Sequence, residues 1–129
     1  MLLIKTKLAC SKIHGIGLFA AEFISEGTVV WRSNPVIDIR LTADQIAGLP
    51  EGAREQICKY SYREHGSRLF VLCGDDARFF NHSPTPNCLD KCDGSGDVTF
   101  AAEDIATGHE LTCDYRLFDV DLEEGRYVI

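Results

Sequence analysis

The stretch RFFNHSPTPN, residues 78–87, joins an apolar start to a rigid polar loop. Two phenylalanines lead directly into Asn81 and His82, and two of the next four residues are prolines. Each proline fixes its own φ angle, removes an amide donor and pushes the preceding residue toward an extended conformation. We therefore predict that Phe79 and Phe80 are anchored in a core and that the loop holds Asn81 and His82 in a fixed position.

Length and composition set the size of the fold around this loop. The chain has 129 residues, of which 45% are hydrophobic and 26% are charged. These values are typical of one globular domain with its own core and argue against a disordered or fibrous chain. The sequence contains no internal repeat, low-complexity tract or linker, so we predict a single domain over residues 1–129.

The charge balance narrows the class of partner. The chain carries 20 acidic and 13 basic residues, which gives a formal net charge of −7 at pH 7. Phosphate contacts need clustered Lys and Arg side chains, so this balance argues against direct nucleic-acid binding. An acidic chain is better matched to a basic partner, although solubility alone explains the same charge equally well.

The N-terminal region and the apolar runs bear on location. No apolar run approaches the ~20 residues that a membrane-spanning helix needs. Lys5 and Lys7 interrupt the apolar residues at the start, which makes a poor signal peptide. We therefore expect no membrane association and an intracellular, cytoplasmic location, with the nucleus left open.

Cysteine and histidine spacing gives little support for a metal site. Thiols stay reduced inside cells, so we expect most cysteines to be buried small side chains. Only Cys88 and Cys92 lie close together, as C-x3-C, and no second pair completes a set of four zinc ligands. The six cysteines are Cys10, Cys58, Cys73, Cys88, Cys92 and Cys113. The four histidines match no helical metal-binding pair.

Short apolar stretches separated by turn residues predict a mostly β domain. Thr42 and Gln45 form a capping-box signature for a short helix, and a second helix is predicted from about residue 51 to residue 59. A helical insertion therefore occupies about residues 41–60. The predicted strands cover residues 2–9, 17–24, 28–31, 36–39, 68–73, 97–102 and 110–115.

Two other kinds of site find weak support in the residues. Gly15, Ile16 and Gly17 form a lone G-x-G that does not extend to G-x-G-x-x-G and precedes a strand. This pattern alone favours a turn over a dinucleotide-binding loop. A Cys–His hydrolase needs a nucleophile beside an activating base, and no cysteine is singled out for that role.

Three stretches, taken in order, are more informative than any one alone. GIGLFAAEFISEGTVV spans residues 15–30, RFFNHSPTPNC spans 78–88 and GHELTCDY spans 108–115. The arrangement resembles the SET domain of protein-lysine methyltransferases, whose pattern is G-x-G before a strand, then R-F-x-N-H-S-x-x-P-N, then G-x-E-L-T-x-D-Y. The resemblance covers about residues 4–118. It implies a mostly β (β-rich α+β), β-clip-like fold of several small sheets with a short helical insertion and a threaded C-terminal segment.

The resemblance implies a cofactor and the residues that contact it. In the family the G-x-G backbone lies along S-adenosylmethionine, which places Gly15, Ile16 and Gly17 at this cofactor. Glycine suits that role because a missing side chain lets backbone amides approach a ligand closely. The same resemblance places Asn81 there through its amide group and His82 largely through its backbone. A loop braced by prolines would hold these groups ready for binding.

The last tyrosine of the third stretch, Tyr115, matches the catalytic residue of the family and also borders the cofactor. Methyl transfer is an in-line displacement without a covalent enzyme intermediate, so the protein mainly supplies alignment and electrostatic stabilisation. The tyrosine hydroxyl and backbone carbonyls would hold the methyl group through weak C–H···O contacts. Tyr60 is the second candidate catalytic residue.

The lysine substrate must reach the methyl group as a neutral amine, although its free pKa is about 10.4. A narrow apolar channel beside a positively charged sulfonium disfavours the ammonium form. We expect Tyr60, Tyr62, Cys113 and Phe118 to line this channel. Relatives often carry Phe or Tyr at the position of Cys113, so the smaller side chain leaves more room around the amine. Either tyrosine is alternatively an ordinary half-buried aromatic.

Two departures from the family pattern concern metal binding and substrate choice. Many relatives carry Cys after Asn-His-Ser and a Cys-rich tail, which together bind zinc. Here Pro84 occupies that position and the short C-terminal tail, residues 116–129, has no cysteine, so we expect no zinc. The sequence also lacks flanking targeting modules, which resembles the minimal SET proteins of viruses and bacteria. Substrate choice would then come from the domain itself or from the partner in a homodimer.

Two further expectations concern charge. Arg78 and Glu110 occupy motif positions that lie side by side in the family, so we expect an ion pair between them. The acids near the end of the chain predict a rim that steers a basic substrate, with a merely solubilising face as the alternative. These acids are Asp114, Asp119, Asp121, Glu123 and Glu124.

We therefore predict an S-adenosylmethionine-dependent enzyme that methylates lysine side chains in a basic protein. The alternative from a different class is a catalytically silent SET-like module that binds a peptide or the cofactor. The presence of Tyr115 together with both cofactor motifs favours the enzyme. A hydrolase that uses Cys and His is a third hypothesis, distinguished by its indifference to S-adenosylmethionine.

Overall fold

The computed structural model describes residues 1–92 and 96–123 as short strands and short helices. The strands are β1 (Thr6–Cys10), β2 (Ile16–Ala20), β3 (Val29–Arg32), β4 (Ile39–Leu41), β5 (Tyr62–Arg63), β6 (Phe70–Leu72), β7 (Asn81–His82), β8 (Cys88–Cys92), β9 (Asp97–Ala101) and β10 (Thr112–Cys113). The α-helices are α1 (Ala43–Ala47), α2 (Glu51–Tyr60) and α3 (Val120–Glu123), and 3-10 turns cover Asp76–Phe79 and Tyr115–Leu117.

Within the described ranges, the strands form four small sheets. The pair β1–β2 and the three-stranded sheets β3–β9–β8 and β4–β6–β5 are antiparallel. The pair β7–β10 is parallel, and it joins two segments that lie 30 residues apart in the chain. The predicted fold class, a mostly β chain of several small sheets with a short helical insertion, is confirmed.

The helical insertion begins with the predicted capping box. The Thr42 hydroxyl accepts a hydrogen bond from the Gln45 amide at 3.1 Å, and the Gln45 side chain accepts one from the Thr42 amide at 2.8 Å. These two bonds satisfy donors that the first helical turn leaves free. Helix α2 follows directly and ends at Tyr60, so it delivers this aromatic side chain to the site described below.

Two predicted strands differ from the structure for local reasons. Residues 36–38 form a turn and the strand begins only at Ile39, because the Asn34 side chain accepts a hydrogen bond from the Val36 amide and Asp38 accepts one from the Asn34 amide. The third motif pairs as a strand only over Thr112–Cys113. It stops there because the Asp114 side chain accepts from the Arg116 amide and starts a 3-10 turn.

A compact apolar core places the first and third motifs side by side. Leu18, Ile24, Ile105 and Leu111 are fully buried, and each contributes roughly 1.5–3 kcal/mol of hydrophobic stabilisation. The Leu111 amide donates to the Leu18 carbonyl at 2.7 Å, and residues 108–111 run along β2. Thr112 and Cys113 then pair with β7, so the third motif contacts both of the others.

The cysteines and the helices bear on two of the sequence predictions. Cys73, Cys88 and Cys113 are buried, as predicted, whereas Cys10 and Cys58 are exposed, and all five are free thiols. Burial raises the pKa of both Cys73 and Cys88 to about 12, so these thiols are protonated at neutral pH.

No helix in the described part of the chain is long and apolar enough to cross a membrane.

Candidate active site

The second and third motifs meet in the parallel pair β7–β10. Asn81 lies opposite Thr112 and His82 lies opposite Cys113. The Ser83 amide extends the pairing by donating to the Cys113 carbonyl at 3.0 Å. Phe80 and Asn81 are both buried, which confirms that the loop is anchored in the core at its start. The pairing fixes the loop relative to the segment that carries the third motif.

Asn87 provides a second attachment between these motifs. Its side-chain amide donates to the Glu110 carbonyl at 2.8 Å, and its side-chain oxygen accepts from the Thr112 amide at 2.9 Å. The backbone amide of Asn87 donates to the Thr112 hydroxyl at 3.2 Å. One side chain therefore satisfies both a donor and an acceptor of the neighbouring segment, and sequence reasoning did not assign it this role.

The expected ion pair between Arg78 and Glu110 is wrong. The Arg78 guanidinium donates to the Cys73 carbonyl at 2.9 Å and lies 5.7 Å from the centre of the Tyr60 ring. The Glu110 carboxylate accepts hydrogen bonds from the Ser11 hydroxyl at 2.7 Å and from the Asn81 amide group at 3.0 Å. Neutral donors therefore hold Glu110, while Arg78 belongs to the aromatic side of the site.

The first motif packs directly against Glu110. A Cβ atom at Gly17 would lie 3.0 Å from the Ser11 Cβ and 2.6 Å from a Glu110 carboxylate oxygen, and the second distance is too short for a Cβ contact. The Asn81 side-chain amide also donates to the carbonyls of His14 at 3.0 Å and Ile16 at 3.3 Å. The glycine is thus required for packing, and the Asn81 amide group ties the G-x-G loop to β7.

These contacts refine the predicted roles of the cofactor residues. The side-chain amide hydrogens of Asn81 already bond to protein oxygens. The Asn81 amide group therefore has no free hydrogen with which to make the expected direct contact with the cofactor. Gly15 has a φ of +46°, and nothing lies within 4 Å of the place its Cβ would occupy. Ile16 is half exposed. The outer face of the loop is therefore open to a ligand, and the cofactor role of Gly15, Ile16 and Gly17 stays a prediction.

Tyr115 lies beside His82 and is held at both its backbone and its hydroxyl. The Tyr115 amide donates to His82 Nδ1 at 3.1 Å, and the two rings meet edge to face at 5.4 Å. The Tyr115 hydroxyl donates to the Phe80 carbonyl. Burial, with the acidic groups nearby as smaller contributions, raises the pKa of Tyr115 to about 12, so the phenol is neutral at physiological pH. The hydroxyl therefore has a fixed direction and a free lone pair.

A pocket of about 690 Å³ opens on one side of Tyr115. It is lined by every residue predicted for the substrate channel and by both predicted catalytic residues, namely Tyr60, Tyr62, Cys113, Tyr115 and Phe118. The other residues predicted for the cofactor, namely Gly15, Ile16, Gly17, Asn81 and His82, are not among the residues that line it. They lie in the G-x-G loop and in β7, which the Asn81 side chain connects. Tyr115 is the residue that the two groups share.

Several aromatic rings line the pocket, together with charged and polar side chains. The Phe118 ring meets the Tyr62 ring at 5.0 Å and the Tyr115 ring at 5.6 Å, both edge to face. Tyr60 meets Phe79 at 5.6 Å in the same manner. Burial raises the pKa of Tyr62 above its usual range, so this hydroxyl also stays neutral. These walls suit an aliphatic chain that ends in a polar group.

Sequence reasoning missed the polar groups of the same pocket. Four buried side-chain polar atoms have no hydrogen-bond partner in the described part of the chain, and three of them belong to pocket residues: Trp31 Nε1, Ser61 Oγ and Asp90 Oδ2. Buried polar groups are normally paired, because an unpaired one costs about 1–3 kcal/mol. Alternation along β8 places Asp90 on the same face as the buried Cys88, but this strand is not among those predicted from the sequence.

Asp90 has the electrostatic character of a buried acid. Its other oxygen, Oδ1, accepts from the Thr99 hydroxyl across the β8–β9 pair. Burial raises the pKa of Asp90 to about 6, with the nearby Asp97 adding to the rise and the Thr99 bond opposing it. Burial and the adjacent Asp90 carboxylate raise the pKa of the Cys113 thiol. Cys113 therefore faces the acid as a neutral neighbour.

The acidic rim expected near the end of the chain is largely used for local structure. Asp114 is buried and accepts from the Arg116 guanidinium at 2.6 and 2.8 Å, which holds the pKa of this carboxyl below its usual range. Asp119 is buried and accepts from the Arg63 and Asp121 amides. Asp121 pairs with Arg63 at 3.2 Å. The Glu123 side chain and Glu124 lie outside the described residues.

In the part of the chain that the structure describes, no three His, Cys, Asp or Glu side chains form a group that could hold a metal ion. The Cys92 side chain, residues 93–95 and the tail beyond residue 123 lie outside the described residues. The expectation that no zinc is bound stays a prediction.

The order of the motifs and the pocket that they surround agree with the comparison against protein families. Residues 15–116 match the family model described as SET domain. The chain belongs to the SET-domain family. The matched range of this SET domain includes the G-x-G loop, the helical insertion, the Asn81 loop and Tyr115.

Curated relatives of this SET domain carry histone-lysine methyltransferase names. A Plasmodium falciparum protein of that name is 36% identical over 134 residues, which cover 92% of this chain. The human histone-lysine N-methyltransferase 2D is 32% identical over 133 residues, which cover 95% of this chain. The alignment spans only 2% of the length of each relative, so the relatives contain much more than this domain.

A solved structure supports the same fold. A Plasmodium falciparum chain described as a histone methyltransferase superposes with a TM-score of 0.63 at 19% identity. The superposition covers 88% of this SET domain and 95% of that chain. At this identity the likeness establishes the architecture alone.

We expect Gly17→Ala to lower the free energy of unfolding by about 1–3 kcal/mol, because the new methyl group displaces the Glu110 carboxylate from its buried hydrogen bonds. Urea unfolding followed by circular dichroism measures this change. Gly52→Ala is the matched control, since it lies in α2 with nothing within 4 Å of the added Cβ. It should leave the stability unchanged or raise it. Equal effects of the two substitutions would contradict the packing role of Gly17.

Proposed function

We propose that this SET domain transfers a methyl group from S-adenosylmethionine to the side-chain amine of lysine in a basic protein. The observation that carries the proposal is the pocket beside Tyr115, which combines aromatic walls with a few buried polar atoms. Such a pocket fits a long aliphatic side chain with a charged or polar end. The family membership supplies the reaction class, and the pocket supports lysine as the acceptor.

The residues around Gly15 fit the methyl donor. When bound, S-adenosylmethionine supplies an activated methyl group on a sulfonium sulfur that leaves as a neutral thioether. We propose that the open face of the Gly15 turn and the His82 backbone hold this donor, while Asn81 fixes the loop through the His14 and Ile16 carbonyls. This assigns Asn81 a positioning role in place of the direct contact expected from the motif.

Tyr115 would orient the acceptor amine. Its hydroxyl donates to the Phe80 carbonyl, so its remaining lone pair has a defined direction and can accept from an N–H or a polarised C–H group. A negatively charged phenolate would attract the substrate amine in its ammonium form. Because the Tyr115 phenol is neutral, it does not stabilise that unreactive form. The pocket also excludes bulk water from the amine, which strengthens these contacts.

The substrate class follows from charge and from the names of the relatives. The chain has a net charge of −7, which attracts a basic protein at long range. Its relatives are named histone-lysine methyltransferases. We therefore propose a histone or a comparably Lys-rich protein as the substrate, and accordingly a nuclear site of action where a nucleus exists. A homodimer has no support in the comparisons and stays a prediction.

Label transfer tests this proposal directly. We expect labelled methyl groups from S-adenosylmethionine to appear on purified core histones and not on an acidic control protein, with weaker transfer at higher salt because screening reduces steering. Calorimetry with S-adenosylmethionine is run on the same sample. Binding heat without label on any protein would identify the silent binding module. Absence of both binding and label would refute the proposal.

A further inference from the structure

Asp90 is an acid of the pocket that makes no ion pair within the described part of the chain. Asp90 Oδ1 accepts from the Thr99 hydroxyl, and the Cys113 thiol is a weak donor to the same carboxylate, whereas Oδ2 is shielded from solvent and has no N–H or O–H donor in the described ranges. Asp90 is not joined to any cation: Lys91, its neighbour in β8, lies over the Phe100 ring at 4.9 Å. Since a carboxylate can only accept hydrogen bonds, a substrate ammonium that reaches Oδ2 would supply the N–H donor that this oxygen lacks.

Three cations of the pocket have partners other than Asp90. Arg78 donates to the Cys73 carbonyl, Arg63 pairs with Asp121, and Lys59 lies over the Tyr60 ring at 5.2 Å. The groups that face Asp90 are Thr99 and Asp97 from β9, Cys113 from β10 and Cys88 from its own strand, and none of them is a cation. A cation that enters this pocket would therefore find Asp90 unpaired.

We propose that Asp90 is a catalytic residue that receives the target amine, with Oδ2 accepting a hydrogen bond from the substrate ammonium and taking one of its protons. The inference rests on the proposed function. In the proton transfer the N–H bond breaks, an O–H bond forms on Asp90, and the electron pair stays on nitrogen. The charged pair becomes a neutral amine beside a neutral carboxylic acid, and the amine is then competent for attack. The acid returns its proton to solvent when the product leaves.

The surroundings of Asp90 favour an amine over other ligands. An anion would be repelled by Asp90 and the nearby Asp97, and an apolar ligand would leave the carboxylate oxygen unpaired. The Ser61 hydroxyl is a second vacant group in the pocket and can accept another N–H of an ammonium. The aromatic side chains of Tyr62 and Phe118 fit the aliphatic stem that carries it. A primary alkylamine satisfies all of these groups.

The first test needs neither turnover nor a known protein substrate. The carboxyl carbon resonance of Asp90 is followed by NMR while the pH of the protein sample, which contains no substrate, is titrated. The titration is repeated with millimolar n-butylammonium and with millimolar n-butanol. We expect the amine to shift this resonance and to lower the pKa of Asp90, because a nearby cation favours the carboxylate. The neutral alcohol should do neither, and the exposed Asp44 should respond to neither probe. If the Asp90 resonance does not shift with the amine, or shifts equally with the amine and the alcohol, the inference is overturned.

The second test uses the pH profile of methyl transfer to histones. We expect Asp90→Asn to lower kcat/KM by about 100-fold and to abolish the acid limb of the profile, while binding of S-adenosylmethionine is retained. Thr99→Val removes a bond that lowers the pKa of Asp90, so it should move that limb to higher pH. An unchanged profile in both variants would overturn the inference. Amine recognition without any methyl transfer would instead refute the proposed function and leave the amine site in place.

Discussion

Replacing Tyr115 with Phe is expected to lower turnover by at least ~100-fold, which corresponds to about 2.7 kcal/mol of activation free energy. The substitution removes the hydroxyl that donates to the Phe80 carbonyl and keeps the ring that packs against His82 and Phe118. The loss should therefore come from misorientation of the amine and not from unfolding. Single-turnover kinetics on histones measures the effect.

Two controls separate a positional role of Tyr115 from a structural one. Calorimetry should show that Tyr115→Phe still binds S-adenosylmethionine, and circular dichroism should show an unchanged fold. The free energy of unfolding should fall by only about 0.5–1.5 kcal/mol, the usual net contribution of one hydrogen bond. Full turnover by the variant would mean that Tyr115 is only a packing aromatic and that the reaction centre lies elsewhere.

Asp90→Asn is expected to stabilise the unliganded protein by about 3 kcal/mol at pH 8, although it should impair function. The pKa of Asp90 is about 6 in the folded protein against an ordinary value of 3.8, and each unit is equivalent to 1.36 kcal/mol. The folded state binds this proton more tightly than the unfolded state does. Protonation of Asp90 therefore contributes to the stability of the folded protein in full below about pH 3.8, and this contribution is lost as the pH rises through about 6.

Urea unfolding at several pH values measures this effect. The gain from Asp90→Asn should be close to zero near pH 4 and should reach its full value above pH 7, since the amide cannot ionise and its oxygen can still accept from Thr99. Asp44→Asn is the control, because this exposed acid lies outside the pocket. A destabilised Asp90→Asn variant at pH 8, or a gain that is independent of pH, would contradict the buried charge.

The sequence predicted most of the elements because local chemistry determines them. The capping box of Thr42 and Gln45 fixes the start of α1, and the prolines after His82 define the loop in which Asn81 is anchored. The resemblance carried by the three motifs also predicted that Tyr115 and the aromatic residues of the channel line the same pocket. The pocket brings together all five of the residues that were assigned to it.

Side-chain partners could not be predicted in the same way, because they depend on which segments the tertiary fold brings into contact. Arg78 and Glu110 are complementary in charge, yet Glu110 is taken by Ser11 and Asn81, and Arg78 by a backbone carbonyl. The steric reason for Gly17 also appears only when Glu110 packs on it. Complementary charge therefore did not predict which motif residues contact each other. The side-chain amide groups of Asn81 and Asn87 connect the motifs instead.

Asp90 was missed for a different reason. The strand β8 follows two prolines and carries charged residues, so its hydrophobic pattern is weak and it was not predicted. Without the strand, the alternation that turns Asp90 inward could not be seen. A single polar residue on the buried face of a strand is costly, and such positions are often functional.

The most direct test of the central claim is fragment mass spectrometry of a synthetic histone-tail peptide with one lysine, after incubation with the protein and S-adenosylmethionine. The account predicts a methyl group on the side-chain nitrogen of that lysine, and none on a peptide in which arginine replaces it. A peptide that remains unmodified while the protein binds S-adenosylmethionine, or a methyl group on any other atom, would contradict the account.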